Sequence, residues 1–260
     1  MDQTQNNKRI AKNTLLLYGR MLITMLVALY TSRGVLNTLG VVDYGIYNAV
    51  GGFVAMFTMI SGSFSSSFSR YLTYSLGQND LDRLSEVFNT SMKTQYALAF
   101  ITLLVGEIGG IWFLNEKMSV PEDRMYAANW VFQLSLAAFV VNMTSTPYSA
   151  DVISHEKMDA YAYISIADAL LKLAVVFLLF ISSADKLISY SFLLLIESII
   201  IRETYHFYCI KHFAECRLTK KFDGSLFKEM LGFAGWNFFG VSTNVLRDQG
   251  VNMIINVFCG

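Results

Sequence analysis

Lys12–Tyr47 reads KNTLLLYGRMLITMLVALYTSRGVLNTLGVVDYGIY. From about Thr14 to about Asn37 this stretch is apolar enough, and long enough, to cross ~30 Å of hydrocarbon as a helix. Arg20 lies well inside the run and Arg33 near its far end. The turn Leu39-Gly40-Val41-Val42-Asp43-Tyr44-Gly45 then sends the chain back. A membrane-length helix followed by a tight reversal is the pattern of the whole chain. It sets the fold class as all-α, a polytopic transmembrane helical bundle.

Composition agrees. Over 260 residues, 54% are hydrophobic and 15% charged, and mean hydropathy is +0.43. Soluble domains carry about a quarter charged residues. Two prolines leave few helices to be broken. The ~10-residue alternating strands of a β-barrel are not seen. A net charge of zero suggests no nucleic-acid partner. Cys209, Cys216 and Cys259 are odd in number and give no disulfide framework. Lys8, Arg9 and Lys12 precede the first apolar run, as in a signal peptide. The run is too long for one and no A-x-A-like site follows, so it reads as a retained first helix.

In chain order the expected helices are 14–37, 45–69, 92–114, 125–148, 159–181, 187–210 and 229–258. Gly77 is expected to cap the second helix. Leu81, Leu84, Val87 and Phe88 recur at helical spacing, which predicts an amphipathic helix on the membrane surface ahead of the third span. The fourth helix should close at Thr146-Pro147. The organisation is then a six-helix lobe (1–212), a basic cytoplasmic linker (213–228) and the first helix of a second lobe (229–260). An internal repeat supports it. KNTLLLYGR (12–20) and KEMLGFAGW (228–236) align Lys12 with Lys228, Leu15 with Leu231 and Gly19 with Gly235. Farther on, Arg33-Gly34-Val35 aligns with Gln249-Gly250-Val251 in the same register. Many transporters are built from such repeated halves. On this reading the chain is a truncated transporter. It should insert but not transport by itself, with its seventh helix loosely packed.

Basic residues set the orientation. Lys8, Arg9, Lys12, Arg70, Arg83, Lys157, Lys211, Arg217, Lys220, Lys221 and Lys228 fall on one side, against Lys117, Arg124 and Lys186 on the other. The N-terminus is therefore expected in the cytoplasm and Gly260 outside.

Charged groups at mid-membrane are costly and usually face protein or a water-filled cavity. Arg20, Thr24 and Thr31 share one face of the first helix; Arg20 either lines a cavity or snorkels to the interface. Arg33 points elsewhere, as an anchor would. Tyr161, Ser165, Asp168 and Lys172 form one stripe on the fifth helix, in which Asp168 and Lys172 can pair. This stripe is either a cavity wall or a neutralised structural pair. Glu197 sits near the centre of the sixth helix and Arg247 and Asp248 near the centre of the seventh. Glu107 either pairs or lines the cavity. Asn129, Gln133 and Asn142 are expected to hydrogen-bond between helices. The cavity candidates are thus Arg20, Thr24, Thr31, Arg33, Ser165, Asp168, Lys172, Glu197 and Arg247. His206, Cys209 and His212 are spaced three apart but read as interfacial decoration, so no metal or other cofactor is expected. Neither a nucleophile–base pair nor a P-loop is found, so the chain is not read as an enzyme.

KNTLLLYGR, the Leu39-Gly40 turn running into Tyr44-Gly45-Ile46-Tyr47, SHEKMDAYAYISI (154–166) and FAGWNFFG (233–240) together resemble the polysaccharide and O-antigen flippases. That family shares a superfamily with the lipid II flippases and the multidrug and toxin extrusion transporters. The resemblance covers essentially the whole chain. It implies a two-lobed transporter that moves an undecaprenyl-pyrophosphate-linked oligosaccharide across the cytoplasmic membrane for polysaccharide or lipopolysaccharide synthesis. Its partners would be the lipid-linked substrate, membrane lipids and polysaccharide-assembly enzymes. It also implies that Arg20 faces the pyrophosphate, with Arg33 a poorer match. The rival readings are a proton- or sodium-coupled exporter of the same superfamily, using Asp168, Glu197 or Glu107, and a membrane glycosyltransferase or polymerase.

Overall fold

A computed structural model describes residues 3–182, 184–219 and 221–259. Lys220 and Gly260, and the side chains of Lys8, Arg9, Asp248, Gln249 and Cys259, lie outside the described residues. Among the described residues the chain is helical throughout, with no strands.

The helices are α1 (Gln3–Ala55), α2 (Thr58–Gly77), α3 (Leu81–Val105), α4 (Ile111–Glu116), α5 (Met125–Ser154), α6 (Met158–Ile181), α7 (Lys186–His212) and α8 (Gly224–Cys259). A π-turn over Gly106–Gly110 joins α3 to α4 as one rod. Gly40 breaks α1 with φ 82° and ψ 171°, a left-handed backbone that glycine adopts without a Cβ penalty.

Contacts on either side of Gly40 show that the chain reverses there. Before it, Arg20 meets Ser165, and a Cβ on Gly34 would lie 2.8 Å from Val176, so the first limb of α1 runs parallel to α6. After it, Phe53 packs on Phe132, Phe57 on Phe139, and Ser61 on Thr146 at 3.2 Å. Ser69 then accepts from Ser154, so this limb and α2 run parallel to α5. Consecutive α5 and α6 are antiparallel, hence the two limbs are too.

Both ends of the bundle are pinned by ion pairs. At one end Arg124 forks between Asp43 and Asp185, with N···O distances of 2.5 and 2.7 Å. Asp185 also caps α7 by accepting from the Leu187 and Ile188 N–H groups. At the other end Arg83 reaches Asp223 at 2.7 Å, and Asp223 caps α8 through the Ser225 and Leu226 N–H groups. Asp80 caps α3 through the Arg83 N–H. Each cap satisfies N–H groups that a helix start leaves without a partner.

Several boundaries differ from expectation, each for a local reason. The returning limb extends to Gly77 and is interrupted at Met56–Phe57, where tight i→i−3 bonds replace the α-helical ladder. It is Asn79, at φ 54°, rather than Gly77 that takes the left-handed conformation after α2. Residues 81–91 are not a surface helix. They are the start of α3, and Leu84, Val87 and Phe88 are buried in the main core with Phe68, Met92 and Tyr148. Pro147 does not end α5; the helix runs on to Ser154, its last turns fixed by buried Tyr148, Ala150 and Val152. Nor does the start of α8 pack loosely. Leu226, Met230 and Ala234 join the same core, and Ser67 donates to the Met230 carbonyl at 3.1 Å.

Among the described residues four stretches are long and apolar enough to cross a membrane: Ala11–Ala55, Leu81–Glu116, Glu122–Ser154 and Met158–Ile181. Seven spans are expected from sequence. Among the described residues α2, α7 and α8 fall short by this measure, because α2 carries its serine run, α7 carries Glu197, Arg202 and Glu203, and α8 is diluted by polar residues and Arg247.

Candidate functional site: a polar cleft between α1, α5, α6 and α7

The stripe predicted on the fifth helix forms one wall of a cleft. Its four members lie on successive turns of α6, so they face α1 and α7 together. Lys172 donates to both oxygens of Asp168 at 2.8 Å, and its Nζ stands 4.0 Å from Oε1 of Glu197 on α7. Glu197 is only 4% exposed, and its Oε1 is buried with no hydrogen-bond partner. Ser165 donates back to the Tyr161 carbonyl, which frees its oxygen to accept from outside the helix.

The cleft divides into three adjoining chambers. Thr24, Thr31, Asp168 and Lys172 line one of about 330 Å³, together with Tyr44, Tyr47 and Tyr190. A second of about 330 Å³ shares Thr31, Lys172, Tyr47 and Tyr190 with the first and adds Glu197, Asn142 and Ser198. The third, about 250 Å³, holds Tyr161, Ser165, Asp168, Asn142 and Tyr205. Arg20 stands at the edge of this third chamber. Its Nη1 lies 3.4 Å from Ser165 Oγ and its guanidinium 4.8 Å from the Tyr161 ring centroid, within cation–π reach. The Arg20 Nε is buried without a hydrogen-bond partner.

Six of the nine sequence candidates therefore line this cleft, and Arg20 borders it, since Thr24, Thr31, Ser165, Asp168, Lys172 and Glu197 all face a chamber. Exposed Arg33 lines none of the three chambers, and neither does exposed Arg247 on α8. Sequence reasoning did not single out Tyr47 and Tyr190, whose rings meet edge-on at 4.8 Å between two chambers. Aromatic residues are common in apolar helices, so nothing marked these two in advance. Asn142 makes an interhelical bond, donating to Ser198 Oγ at 3.0 Å, and lines the cleft as well.

The other polar residues are used within the bundle. Gln133 donates to Glu107 at 2.9 Å. His206 bonds the Tyr148 hydroxyl and His212 the Tyr208 carbonyl, so the three-residue spacing with Cys209 does not converge on a point. Arg202 pairs with its neighbour Glu203.

Chemically, the cleft offers two cations and two carboxylates in unequal settings. Lys172 is already engaged by Asp168. Arg20 keeps an N–H free for an anion, and Glu197 keeps an oxygen free for a cation or a proton. No family model, curated protein or solved structure matches the chain.

Proposed function

We propose that the chain is a carrier in the cytoplasmic membrane that moves a lipid-linked, pyrophosphate-bearing oligosaccharide, with Arg20 as the contact to the pyrophosphate. The observation that carries this reading is the buried, unpartnered Nε of Arg20 at the edge of a polar cleft. Burying a guanidinium with a donor unused is costly, and a phosphate oxygen would relieve that cost. The resemblance of KNTLLLYGR to the flippases supports the reading, since it implies that Arg20 faces the pyrophosphate.

The outer surface supports a lipid environment. Trp236, Ile181, Val41 and Ile108 are each more than three-quarters exposed, as lipid-facing side chains are. A soluble monomer rarely exposes apolar patches beyond a few hundred Å². A prenyl tail would stay in lipid while the charged head crosses through the cleft, whose side chains replace its water. Alternating access in such carriers comes from one helical body rocking against another.

The test is binding. The purified chain in detergent is titrated with a prenyl pyrophosphate. Arg20→Ala is expected to weaken binding at least tenfold, in line with a charge-assisted hydrogen bond of about 1.5–3 kcal/mol. Arg20→Lys should fall between, since lysine keeps the charge but loses the planar fork. Equal affinity in Arg20→Ala and wild type would overturn the assignment.

One observation favours a second reading, a cation-coupled exporter: the buried Glu197 Oε1 without a partner. In that case Glu197→Gln abolishes coupling and Arg20→Ala leaves substrate binding intact.

A further inference from the structure

The helix–loop junction where α5 ends gathers a second cluster of ionisable groups, away from the cleft. Asp151 and His155 lie one turn apart at the end of α5. Glu215 lies in the 3₁₀ turn Ala214–Cys216 that follows α7. His155 Nε2 is 2.6 Å from Glu215 Oε1 and 3.8 Å from Asp151 Oδ1. The three donor atoms all lie within 4.8 Å of one another. We propose that Asp151 Oδ1, His155 Nε2 and Glu215 Oε1 bind one divalent metal ion of the zinc class.

Burial of Asp151 is the observation that points beyond an ordinary ion pair. Its side chain is wholly buried, and Oδ1 has no hydrogen-bond partner while it faces the histidine nitrogen. A buried carboxylate oxygen left unsatisfied is costly, and groups of this kind in native folds call for an ion or other partner. A dication placed among the three donors would satisfy Oδ1 and balance both carboxylates. One imidazole nitrogen with two carboxylate oxygens is a donor set that zinc accepts, with a fourth position left to water. His155 is about one-fifth exposed, so water and metal can reach that position.

The surroundings hold the donors still. The Cys216 thiol donates to the other oxygen of Asp151 at 3.1 Å, which fixes the carboxylate with Oδ1 turned toward the histidine. The His155 ring stacks on Phe213 at 4.1 Å between centroids and 7° between planes. Such supporting contacts orient metal ligands, and their loss costs metal affinity. One ligand comes from the last turn of α5, one from the residue that caps it and one from the connector that leads to α8. Bound metal would therefore staple the α7–α8 connector to α5.

The experiment uses the full chain purified in detergent, stripped with chelator and dialysed against limiting zinc. One zinc per chain by elemental analysis is expected, with a higher melting temperature when zinc is present. Asp151→Asn and His155→Ala should each lower zinc affinity at least tenfold and abolish the melting shift. Cobalt in place of zinc should give the visible absorption of a four-coordinate site, lost in the same variants. Should Asp151→Asn fail to fold, His155→Ala, at a partly exposed position, decides the matter alone. Wild-type protein that holds no zinc, variants that hold as much as wild type, or preferential binding of magnesium or calcium would each overturn the proposal. The cluster would then be a His155–Glu215 ion pair packed beside Asp151.

Discussion

Lys172 donates to both carboxylate oxygens of Asp168 at 2.8 Å, one turn away on α6, while buried Glu197 stands 4.0 Å from the same ammonium. One cation thus serves two carboxylates. Removing Lys172 leaves two carboxyl groups with no cation between them, so Lys172→Met should destabilise more than Asp168→Asn. The Lys172 side chain is 44% exposed to the cleft. Its pair with Asp168 is accordingly expected at the modest end, about 0.5–1 kcal/mol of coupling in a double-mutant cycle. Melting of the single and double variants in detergent reads this directly. Strict additivity would show that the pair is uncoupled.

The cleft was legible because polar residues on apolar helices stand out at helical spacing. Thr24 and Thr31 on one helix, and Ser165, Asp168 and Lys172 on another, needed only the 3.6-residue period to be grouped. Glu197 came from depth alone. The period does not say which neighbour each face meets, and so Arg33 and Arg247 count as candidates in the sequence although the fold places them outside the three chambers. Residues 81–91 failed for a related reason. An amphipathic pattern fits a membrane surface and a protein core equally well, and only the packing of Leu84 and Phe88 against Tyr148 decides between them. Glu215 is sixty residues beyond His155, a pairing that no local pattern reveals.

Gly110 marks a close approach that a methyl group would block. A Cβ there would overlap the Phe132 ring and stand 3.0 Å from Phe53. Neighbouring Gly109 has nothing within 4 Å of the same position. Gly110→Ala should therefore cost about 1–3 kcal/mol as overpacking, whereas Gly109→Ala should be neutral or slightly stabilising. Thermal unfolding of the two variants, matched in chemistry and one residue apart, makes the comparison. Equal effects would mean that the π-turn yields without strain.

The Arg124 clamp should fail at low pH. Burial alone pushes the Asp185 carboxyl up, but the hydrogen bond from Arg124 and the backbone N–H groups of Ile188 and Leu187 outweigh it, and the group is held below its ordinary value of 3.8. A carboxylate depressed in the fold contributes stability that is present above the unfolded value. That contribution is lost as pH falls through the folded value. Wild-type melting temperature should drop as pH is lowered below about 4, and Asp185→Asn should flatten that part of the curve while lowering the plateau above it. An unchanged low-pH slope in Asp185→Asn would assign the acid sensitivity to other carboxylates.

Four connections form two pairs, and this makes the topology testable as a unit. Val120 and Ala184 adjoin the Arg124–Asp43–Asp185 clamp at one end. Asn79 and Lys157 lie at the other, where Ser154 bonds Ser69 and Arg83 bonds Asp223. Any orientation in a membrane must put each pair on one side, because the limbs between them run antiparallel. Lysine and arginine counts then place the Asn79 pair in the cytoplasm. Reporter fusions after Asn79 and Lys157 should be active inside, and fusions after Val120 and Ala184 outside. Inversion of all four would leave the bundle intact and refute only the charge argument. Val120 inside with Ala184 outside would refute the antiparallel packing of α5 and α6 and with it the cleft that Arg20, Asp168 and Lys172 share, and a split of Asn79 from Lys157 would refute that of the α3–α4 rod and α5.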